Sequence, residues 1–197
     1  MPRAVEFDLE ATRAIILREF WVRGYEATSL SHLEQATSLV RTSLYNSFGN
    51  KPEMFRQSLE LYHATVEAQM AANIDKNGSE GLFDAIAAMM TGPDTTGQQP
   101  AGCLMVMTAT QSKSIEPWHL ELVRTYRAML VRNAQEALER DKAAGRIVDQ
   151  VEPKSAAEFL VCLLWGALAA QCLGQADNPA SAGTLMLRQT LDGWRAR

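Results

Sequence analysis

Hydrophobic residues recur at a spacing near 3.6 in almost every segment of this chain, and no segment sustains the alternation of a β-strand. Runs rich in Gly, Pro and polar residues interrupt the pattern, for example "KNGSEG", "TGPDTTGQQPAG" and "GQADNPAS". The interruptions divide the chain into about nine helices, of which the first three are short. The predicted fold class is therefore all-α, with a three-helix N-terminal part followed by a larger helical part.

The composition limits where such a chain is found and what it binds. With 197 residues, of which 47% are hydrophobic and 21% charged, it is ordinary for a globular protein. No run of roughly 18 apolar residues is present to span a bilayer, and acids near the N-terminus replace the basic and apolar residues of a signal peptide. We therefore expect a cytoplasmic protein with no membrane segment. The formal charge of -4 means that any contact with nucleic acid must come from a local surface.

Residues that would support catalysis or metal binding form no recognisable pattern. The cysteines, Cys103, Cys162 and Cys172, are odd in number, lack the spacing of a zinc site, and form no cluster with the histidines. A nucleophile elbow, a phosphate-binding Gly loop and a distinct carboxylate pair are also missing from the sequence. The sequence predicts no metal, no cofactor and no enzymatic activity.

Two short helices near the N-terminus are joined by a tight turn. The first helix of the chain runs roughly from Asp8 to Arg23 and stops at Gly24. The next opens at Thr28, a good N-cap, ends near Ala36, and is followed by a new helix from about Val40. Such a pair is typical of the helix-turn-helix arrangement, which delivers its second helix to the major groove of DNA.

The second helix of this pair has a polar side without any acidic residue. At roughly 100° per residue, Val40 and Leu44 share the side expected to pack, and the polar residues share the other. Arginine and asparagine can reach base edges or phosphates, whereas short hydroxyl donors suit phosphate oxygens. The predicted DNA-contacting residues are Thr28, Arg41, Thr42, Ser43, Tyr45, Asn46, Ser47 and, at the start of the following helix, Lys51.

The distribution of charge supports DNA binding only near the predicted reading helix. Residues 1–51 hold six Lys/Arg and six Asp/Glu, which favours an ordinary solvated face. Between Leu39 and Pro52, however, two cations occur with no anion, so positive charge is concentrated at the predicted reading helix.

The segment "GYEATSLSHLEQATSLVRTSLYNSFGNKPEMF", residues 24–55, is similar to the DNA-binding signature of the TetR family of bacterial transcriptional regulators. The similarity depends on Phe20, Gly24, Tyr25, Thr28, Leu33, Leu44, Tyr45, Phe48 and Lys51. It implies a DNA-binding domain over residues 6–66 and a ligand-binding and dimerisation domain over residues 67–197. It also implies that Arg41 touches DNA and that Tyr45 and Lys51 meet phosphates.

The sequence departs from that family at the turn. Ser38 stands where the family usually has Gly, Val40 where it has a capping Ser, and Glu34 where it has Ala. We expect some strain at Ser38 and the loss of a cap worth about 1 kcal/mol at Val40. A helical bundle that no longer reads DNA therefore stays an alternative, as does a small all-helical enzyme.

The larger part is rich in Met and aromatic residues, which suits a pocket that reshapes around a ligand, although ordinary core packing is the alternative. A helix from about Lys51 to Ile74 would link this part to the reading helices. The predicted ligand-binding residues are Phe83, Cys103, Met107, Trp118, Tyr126, Met129 and Trp165.

Cys103 follows a Gly/Pro-rich loop at a predicted helix start, where the helix dipole can lower a thiol pKa. The stretch "AGCLMVMTAT" also resembles a motif of one TetR subgroup, some of whose members respond through a cysteine there. Sensing of oxidants or electrophiles and an inert buried thiol both stay open. Cys162 and Cys172 are expected in the core.

The final two helices resemble an association surface. "FLVCLLWGALAAQCLG", residues 159–174, is apolar nearly all round, which favours pairing with a second copy in a four-helix bundle. A monomer with a wrapped central helix and a membrane hairpin are the alternatives. The predicted dimer contacts are Leu163, Ala167, Ala170, Leu187, Leu191 and Trp194. We therefore predict a homodimeric regulator, a repressor released from palindromic operator DNA by a small-molecule inducer.

Overall fold

The computed structural model describes residues 8–91, 100, 102–110, 115–172 and 179–196, including every side chain in these ranges except those of 179–181. Apart from short connections and one antiparallel bridge between Ile147 and Arg195, these residues are helical. The nine helices of the described ranges are α1 (Leu9–Ala27), α2 (Leu30–Thr37), α3 (Arg41–Phe48), α4 (Lys51–Asn77), α5 (Ser79–Thr91), α6 (Leu104–Thr110), α7 (Pro117–Ala143), α8 (Pro153–Gln171) and α9 (Pro179–Trp194). The prediction of an all-α fold is confirmed.

α1 starts at a side-chain cap and is interrupted at a glycine. A carboxylate oxygen of Asp8 accepts hydrogen bonds from the backbone N–H groups of Glu10 (2.9 Å) and Ala11 (3.2 Å). Gly24, with φ 77° and ψ 169°, breaks the helical run where the sequence predicts an end, and one further turn continues to Ala27. Gly adopts this positive φ readily because it has no Cβ.

The start of α2 lies one residue later than predicted. Ser29 is the N-cap, because its hydroxyl accepts a hydrogen bond from the N–H of His32 and His32 Nδ1 accepts one from the N–H of Ser29, both at 3.2 Å. Thr28 instead closes α1. Its buried hydroxyl donates to the Gly24 carbonyl oxygen at 2.7 Å, which satisfies an acceptor left over where the helix breaks.

The first three helices pack around a core that the start of α4 completes, and we call this unit the head. Its fully buried apolar residues include Phe20, Leu33, Leu44, Phe48 and Phe55. The rings of Phe20 and Phe55 lie 4.9 Å apart between centroids. Burying side chains of this size stabilises the fold by about 1.5–3 kcal/mol each. The apolar residues of α3 are therefore committed inward, and its polar residues face outward.

α4 connects the head to the remaining helices, which we call the body. It runs for 27 residues, and its buried side follows a helical stripe of Leu59, Tyr62, Val66, Met70 and Ile74. The predicted boundary between residues 66 and 67 falls inside this continuous helix. In the body α5 packs along α4, α7 pairs with α8, and α9 lies mainly on α5.

α8 has two different faces. Its buried face is formed by Ala157, Leu160, Val161, Leu164 and Leu168. Its other face is exposed, with Phe159 50% exposed and Cys162, Gly166 and Ala169 following on the same side. Among the described helices, α8 is also long and apolar enough to cross a bilayer by length and composition, a test that core helices of globular proteins also pass.

The prediction that Cys162 and Cys172 lie in the core is wrong, because both are exposed. Cys162 belongs to the outward face of α8, and Cys172 follows the last residue of that helix. An apolar composition does not reveal which face of a helix packs within its own chain, and this is the origin of the error.

Two of the predicted dimer contacts on α9 are also wrong. Leu187 and Leu191 are each only 1% exposed, so the core of their own chain covers them and no partner can reach them. Trp194 is half-buried, with its ring edge-on to Phe83 at 5.9 Å between centroids. Among the described side chains of α9, the large apolar ones that are exposed are instead Leu185 (60%) and Met186 (56%). On α8, the predicted contacts Leu163, Ala167 and Ala170 are half-buried.

Candidate nucleic-acid interface and ligand cavity

The turn between α2 and α3 uses a left-handed residue that is not glycine. Ser38 has φ 59° and ψ 19°. Within the described ranges, every other residue with a positive φ is a glycine. The conformation expected of this turn is therefore confirmed. Thr37 supports it, because its hydroxyl donates to the Leu33 carbonyl (2.6 Å) and accepts from the N–H of Leu39 (3.3 Å).

The start of α3 is capped from α2 rather than by its own N-cap residue. Val40 makes no side-chain cap, and at 64% exposed its side chain does not pack as predicted. Glu34 supplies the missing acceptor, because its carboxylate lies 2.9 Å from the backbone nitrogen of Arg41 and 3.5 Å from the Arg41 guanidinium. The departure at Glu34 thus stabilises the helix-turn-helix, since a carboxylate is favoured at a helix N-terminus.

The polar side of α3 is presented to solvent. Leu44 and Phe48 anchor the opposite side in the head core. Of the predicted DNA-contacting residues, Arg41, Thr42, Tyr45, Asn46 and Ser47 are exposed and Ser43 is half-buried. Thr28 is fully buried and hydrogen-bonded within the head, so its assignment as a DNA contact through the side chain is wrong.

Lys51 lies at the first turn of α4, next to the end of α1. Its Nζ is 4.5 Å from the centroid of the Tyr25 ring and 3.4 Å from the Glu26 carbonyl oxygen. Burial lowers the pKa of Lys51, and the Glu26 carboxylate opposes that shift. The N-terminus of α4 is capped by Asn50, which accepts from the N–H of Glu53 at 3.0 Å. A cation and a helix N-terminus therefore adjoin the end of α3, as a phosphate contact requires.

The predicted ligand-binding residues do not converge on one site. Phe83 packs against Trp194, Trp118 is exposed beside His119, and Met129 is buried in the core. Met107 and Trp165 are half-buried, whereas Cys103 and Tyr126 are fully buried. None of the seven lines the cavity of about 340 Å³ that opens between α1, α4, α5 and α8. The cavity therefore lies apart from the seven predicted residues, whose part in ligand binding stays a prediction.

This cavity was not predicted from the sequence because one of its walls comes from the head. Leu17 and Trp21 of α1 line it together with Tyr62, Gln69, Met89 and Gln171. The sequence does indicate this wall, because Ala14, Leu17 and Trp21 form a second apolar stripe on α1. It lies beside the stripe of Ile16 and Phe20 that enters the head core.

Cys103 lies behind this cavity in a buried hydroxyl and thiol cluster. The Tyr62 hydroxyl donates to Cys103 Sγ at 3.2 Å, and the Tyr126 hydroxyl has no hydrogen-bond partner within the described residues. Burial raises the pKa of the Cys103 thiol, and hydrogen bonds from Tyr62 and from the backbone of Val106 and Met105 only partly oppose it. The expectation of a lowered thiol pKa is wrong, because desolvation of the buried thiol raises its pKa by more than the dipole of the short helix α6 lowers it.

Known proteins share both the sequence pattern and the fold. Residues 14–57 match the family described as "Bacterial regulatory proteins, tetR family". Over 166 residues the chain is 33% identical to "HTH-type transcriptional repressor ComR" of Escherichia coli (strain K12), covering 81% of this chain and 77% of that protein. The chain belongs to the TetR family. The resemblance seen in residues 24–55 is thereby confirmed.

Two further transcriptional regulators match along most of the chain. "HTH-type transcriptional repressor AcnR" of Corynebacterium jeikeium (strain K411) is 27% identical over 179 residues, with 85% of each protein covered. The solved structure of a cysteine mutant of "TetR family transcriptional regulator CifR", in complex with a 26bp double-strand operator DNA, has a TM-score of 0.80. It is 25% identical and covers 98% of this chain and 100% of that one. The fold of this chain is thus that of TetR-family transcriptional regulators.

Proposed function

We propose that this chain is a homodimeric transcriptional regulator of the repressor type, which binds a palindromic double-stranded operator and leaves it when a small molecule binds. The observation that carries the proposal is the geometry of α3. Its apolar residues are locked into the head core, and an exposed polar face with Arg41, Thr42, Tyr45 and Asn46 points away from the protein. Such a helix can enter a major groove without loss of the fold.

The contacts we propose fall into two classes. Arg41 and Asn46 carry the groups that pair with base edges, guanine for arginine and adenine for asparagine. Tyr45, Ser47 and Lys51 suit phosphate oxygens and would fix the register of α3 on the duplex. Thr42 lies on the same exposed side, whereas the half-buried Ser43 would contact DNA only at the edge of the interface.

Two heads are needed for tight and specific binding, because one short helix makes too few contacts. We propose that the outward face of α8 and the exposed residues Leu185 and Met186 of α9 pair with their copies about a two-fold axis. Leu163, Ala167 and Ala170 would flank that contact on α8. The relatives named as repressors support the direction of regulation.

We propose that residues 6–66 form the DNA-binding unit and residues 67–197 the ligand-binding and dimerisation unit, with α4 as the rigid connection between them. The protein would act in the cytoplasm, without enzymatic turnover. The small molecule would lower operator affinity by binding better to the DNA-free arrangement of the head.

Fluorescence anisotropy tests the central proposal. The purified protein would be titrated against a labelled duplex from upstream of its own gene and against a scrambled duplex of equal length. We expect saturable binding to the upstream duplex, a stoichiometry of one dimer per palindrome, and an affinity that falls as salt rises. Equal affinity for both duplexes over the whole salt range would contradict operator recognition and favour a helical bundle that no longer reads DNA.

A further inference from the structure

We infer that the cavity between α1, α4, α5 and α8 is a small-molecule site for an uncharged, largely apolar ligand, and that its occupant acts on the head directly through Trp21. The regulatory meaning of this site rests on the proposed function. Ligand binding itself does not, so the two are tested separately below.

The size and chemistry of the cavity define the class of ligand. Its volume of about 340 Å³ lies within the range of small-molecule sites, roughly 300–1,000 Å³. The described lining residues include apolar side chains such as Leu17, Val66 and Met89, and none of them is Asp, Glu, Lys, Arg or His. A charged ligand would lose its hydration there without gaining a counter-charge, which disfavours carboxylates and protonated amines.

The polar groups of the lining limit the hydrogen bonding that a ligand can use. The hydroxyls of Tyr62 and Thr65 already donate, to Cys103 Sγ at 3.2 Å and to the Leu61 carbonyl at 2.8 Å. The side-chain amide of Gln69 lies at the solvent-exposed edge of the cavity, where it can bond to water or to a ligand. A polar group of the ligand would therefore sit at Gln69, and its apolar remainder between α1 and α8.

The cavity has room for an elongated ligand. A second groove, of about 290 Å³, runs along α4 and α5. It shares Val66, Gln69, Ala88 and Met89 with the first, so the two spaces adjoin at Gln69. A ligand longer than the first cavity could extend past Gln69 along the groove.

A chain of hydrogen bonds along the cavity connects the head to the body. Trp21 Nε1 donates to the Gly102 carbonyl oxygen at 3.2 Å, and the N–H of Gly102 donates to Gln171 Oε1, also at 3.2 Å. Gln171 Nε2 in turn donates to the carbonyl oxygens of Met89 and Met90 at the end of α5. One side chain of α1 is thus tied through Gly102 to both α5 and α8.

The backbone of Gly102 suits this connection specifically. Its φ is +77°, and a Cβ added at this position would lie 2.6 Å from Cys172 Sγ. A larger residue would therefore have to displace the Cys172 side chain and would be strained at this positive φ, which disfavours the backbone conformation that presents the carbonyl to Trp21. The Trp21 ring also lies edge-on to Tyr62, with 5.0 Å between centroids, so its position is set by two contacts that both border the cavity.

Because Trp21 is both a wall of the cavity and part of the head, a ligand cannot fill the space without acting on α1. A ligand that binds one arrangement of α1 better shifts the population toward it. A ligand that packs against the Trp21 ring competes with the bond from Trp21 to Gly102, so the favoured arrangement is the one in which that bond is broken. The same shift would move α3 relative to its copy in the dimer.

Dye binding tests the site without any DNA. The probe is N-phenylnaphthylamine, an uncharged aromatic amine that brightens in apolar surroundings. We expect saturable brightening with the wild-type protein and at least about tenfold weaker binding with Ala88→Phe, whose side chain would fill the space shared by both grooves. Ala72→Phe, on an exposed position of α4, is the matched control and should bind like the wild type. Equal dye affinity in Ala88→Phe and wild type would overturn the site.

Hydrogen exchange tests the coupling to the head. Saturating dye should increase amide exchange in residues 9–27, and Trp21→Phe should raise exchange there without dye and reduce the effect of dye. Unchanged exchange in α1 at saturating dye would overturn the coupling through Trp21. Neither readout uses DNA, so a protein that meets both expectations but binds no duplex would refute the proposed function and leave the cavity site intact.

Discussion

His119 of α7 donates a hydrogen bond from Nε2 to the carbonyl oxygen of Pro52, 3.0 Å away, in the first turn of α4. The tautomer follows from the other ring nitrogen, because Nδ1 accepts a hydrogen bond from the N–H of Glu116 at 3.1 Å. The ring is buried and packs against the rings of Phe55 and Tyr25. The body therefore holds the head at a point one residue from Lys51, the proposed phosphate contact.

Replacing His119 by Phe tests this connection. The substitution keeps a ring against Phe55 but removes both hydrogen bonds, so the carbonyl of the half-buried Pro52 loses this donor. We expect a loss of about 1–3 kcal/mol in the free energy of unfolding, measured by urea denaturation. His63→Phe, which replaces a half-buried histidine of α4, serves as the control and should cost less. A stability equal to that of the wild type would mean that the bond to Pro52 contributes nothing.

The same histidine predicts how stability depends on pH. Burial lowers the pKa of His119 below its ordinary value, while Pro52, Glu116 and Glu53 oppose the shift. The unfolded chain then binds more protons than the folded chain, so this contribution is complete above about pH 6.5 and is lost as the pH falls below it. Urea denaturation of wild type and His119→Phe over this range should show a difference that shrinks at low pH. A difference independent of pH would contradict the assignment.

The sequence predicted the fold well because its signals are local. Helix periodicity and glycine breaks located each helix, and the strained turn at Ser38 was expected from the resemblance to the TetR family, which usually has Gly there. The candidate sites were less predictable, because they depend on which residues meet across helices. Val40 can be exposed because Glu34, on another helix, caps α3 in its place. Thr28 is buried because its hydroxyl donates to the Gly24 carbonyl, which the break in α1 leaves without a helical partner. The cavity was missed because its wall at Trp21 belongs to the head.

Arg41 is expected to contribute directly to operator affinity. Its guanidinium is exposed beside α3, so Arg41→Ala should weaken binding by about 1–3 kcal/mol per protomer with an unchanged melting temperature. Arg124→Ala removes an even more exposed, ion-paired arginine of α7 and should leave the affinity unchanged. Fluorescence anisotropy with the operator duplex measures both. An operator affinity unaffected by Arg41→Ala would remove α3 as the reading helix.

Replacing Glu34 is expected to change operator affinity in the opposite direction from replacing Arg41. Glu34→Gln keeps an oxygen to accept the N–H of Arg41 but removes the charge that pairs with its guanidinium. We expect tighter DNA binding, since an exposed ion pair of this kind is worth only about 0–1 kcal/mol in the free protein and its anion would repel phosphate. Weaker binding by Glu34→Gln at equal stability would show that the carboxylate orients Arg41 instead.

Cys103 is expected to react slowly with thiol reagents. Its side chain is fully buried, and burial raises the pKa of its thiol, whereas Cys172 is exposed. Peptide mapping after a short treatment with iodoacetamide should find Cys172 alkylated well before Cys103. If Cys172 reacts first, the Cys103→Ser variant should bind the operator like the wild type and should respond to electrophiles to the same extent. Preferential alkylation of Cys103 would instead support a sensing role for this thiol.

The outward faces of α8 and α9 predict the oligomeric state. Phe159 and Leu185 are at least half exposed in the isolated chain, and burying such side chains contributes about 1.5–3 kcal/mol each. Phe159→Glu combined with Leu185→Glu should therefore convert the dimer to a folded monomer, as measured by sedimentation velocity, and expose Cys162 to alkylation. Val22→Glu, on an equally exposed apolar position of α1, is the control and should stay dimeric. The monomer should also lose tight binding to a palindrome while keeping weak binding to a half-site, because each head then binds alone. A double variant that still sediments as a dimer would place the partner contact on another surface.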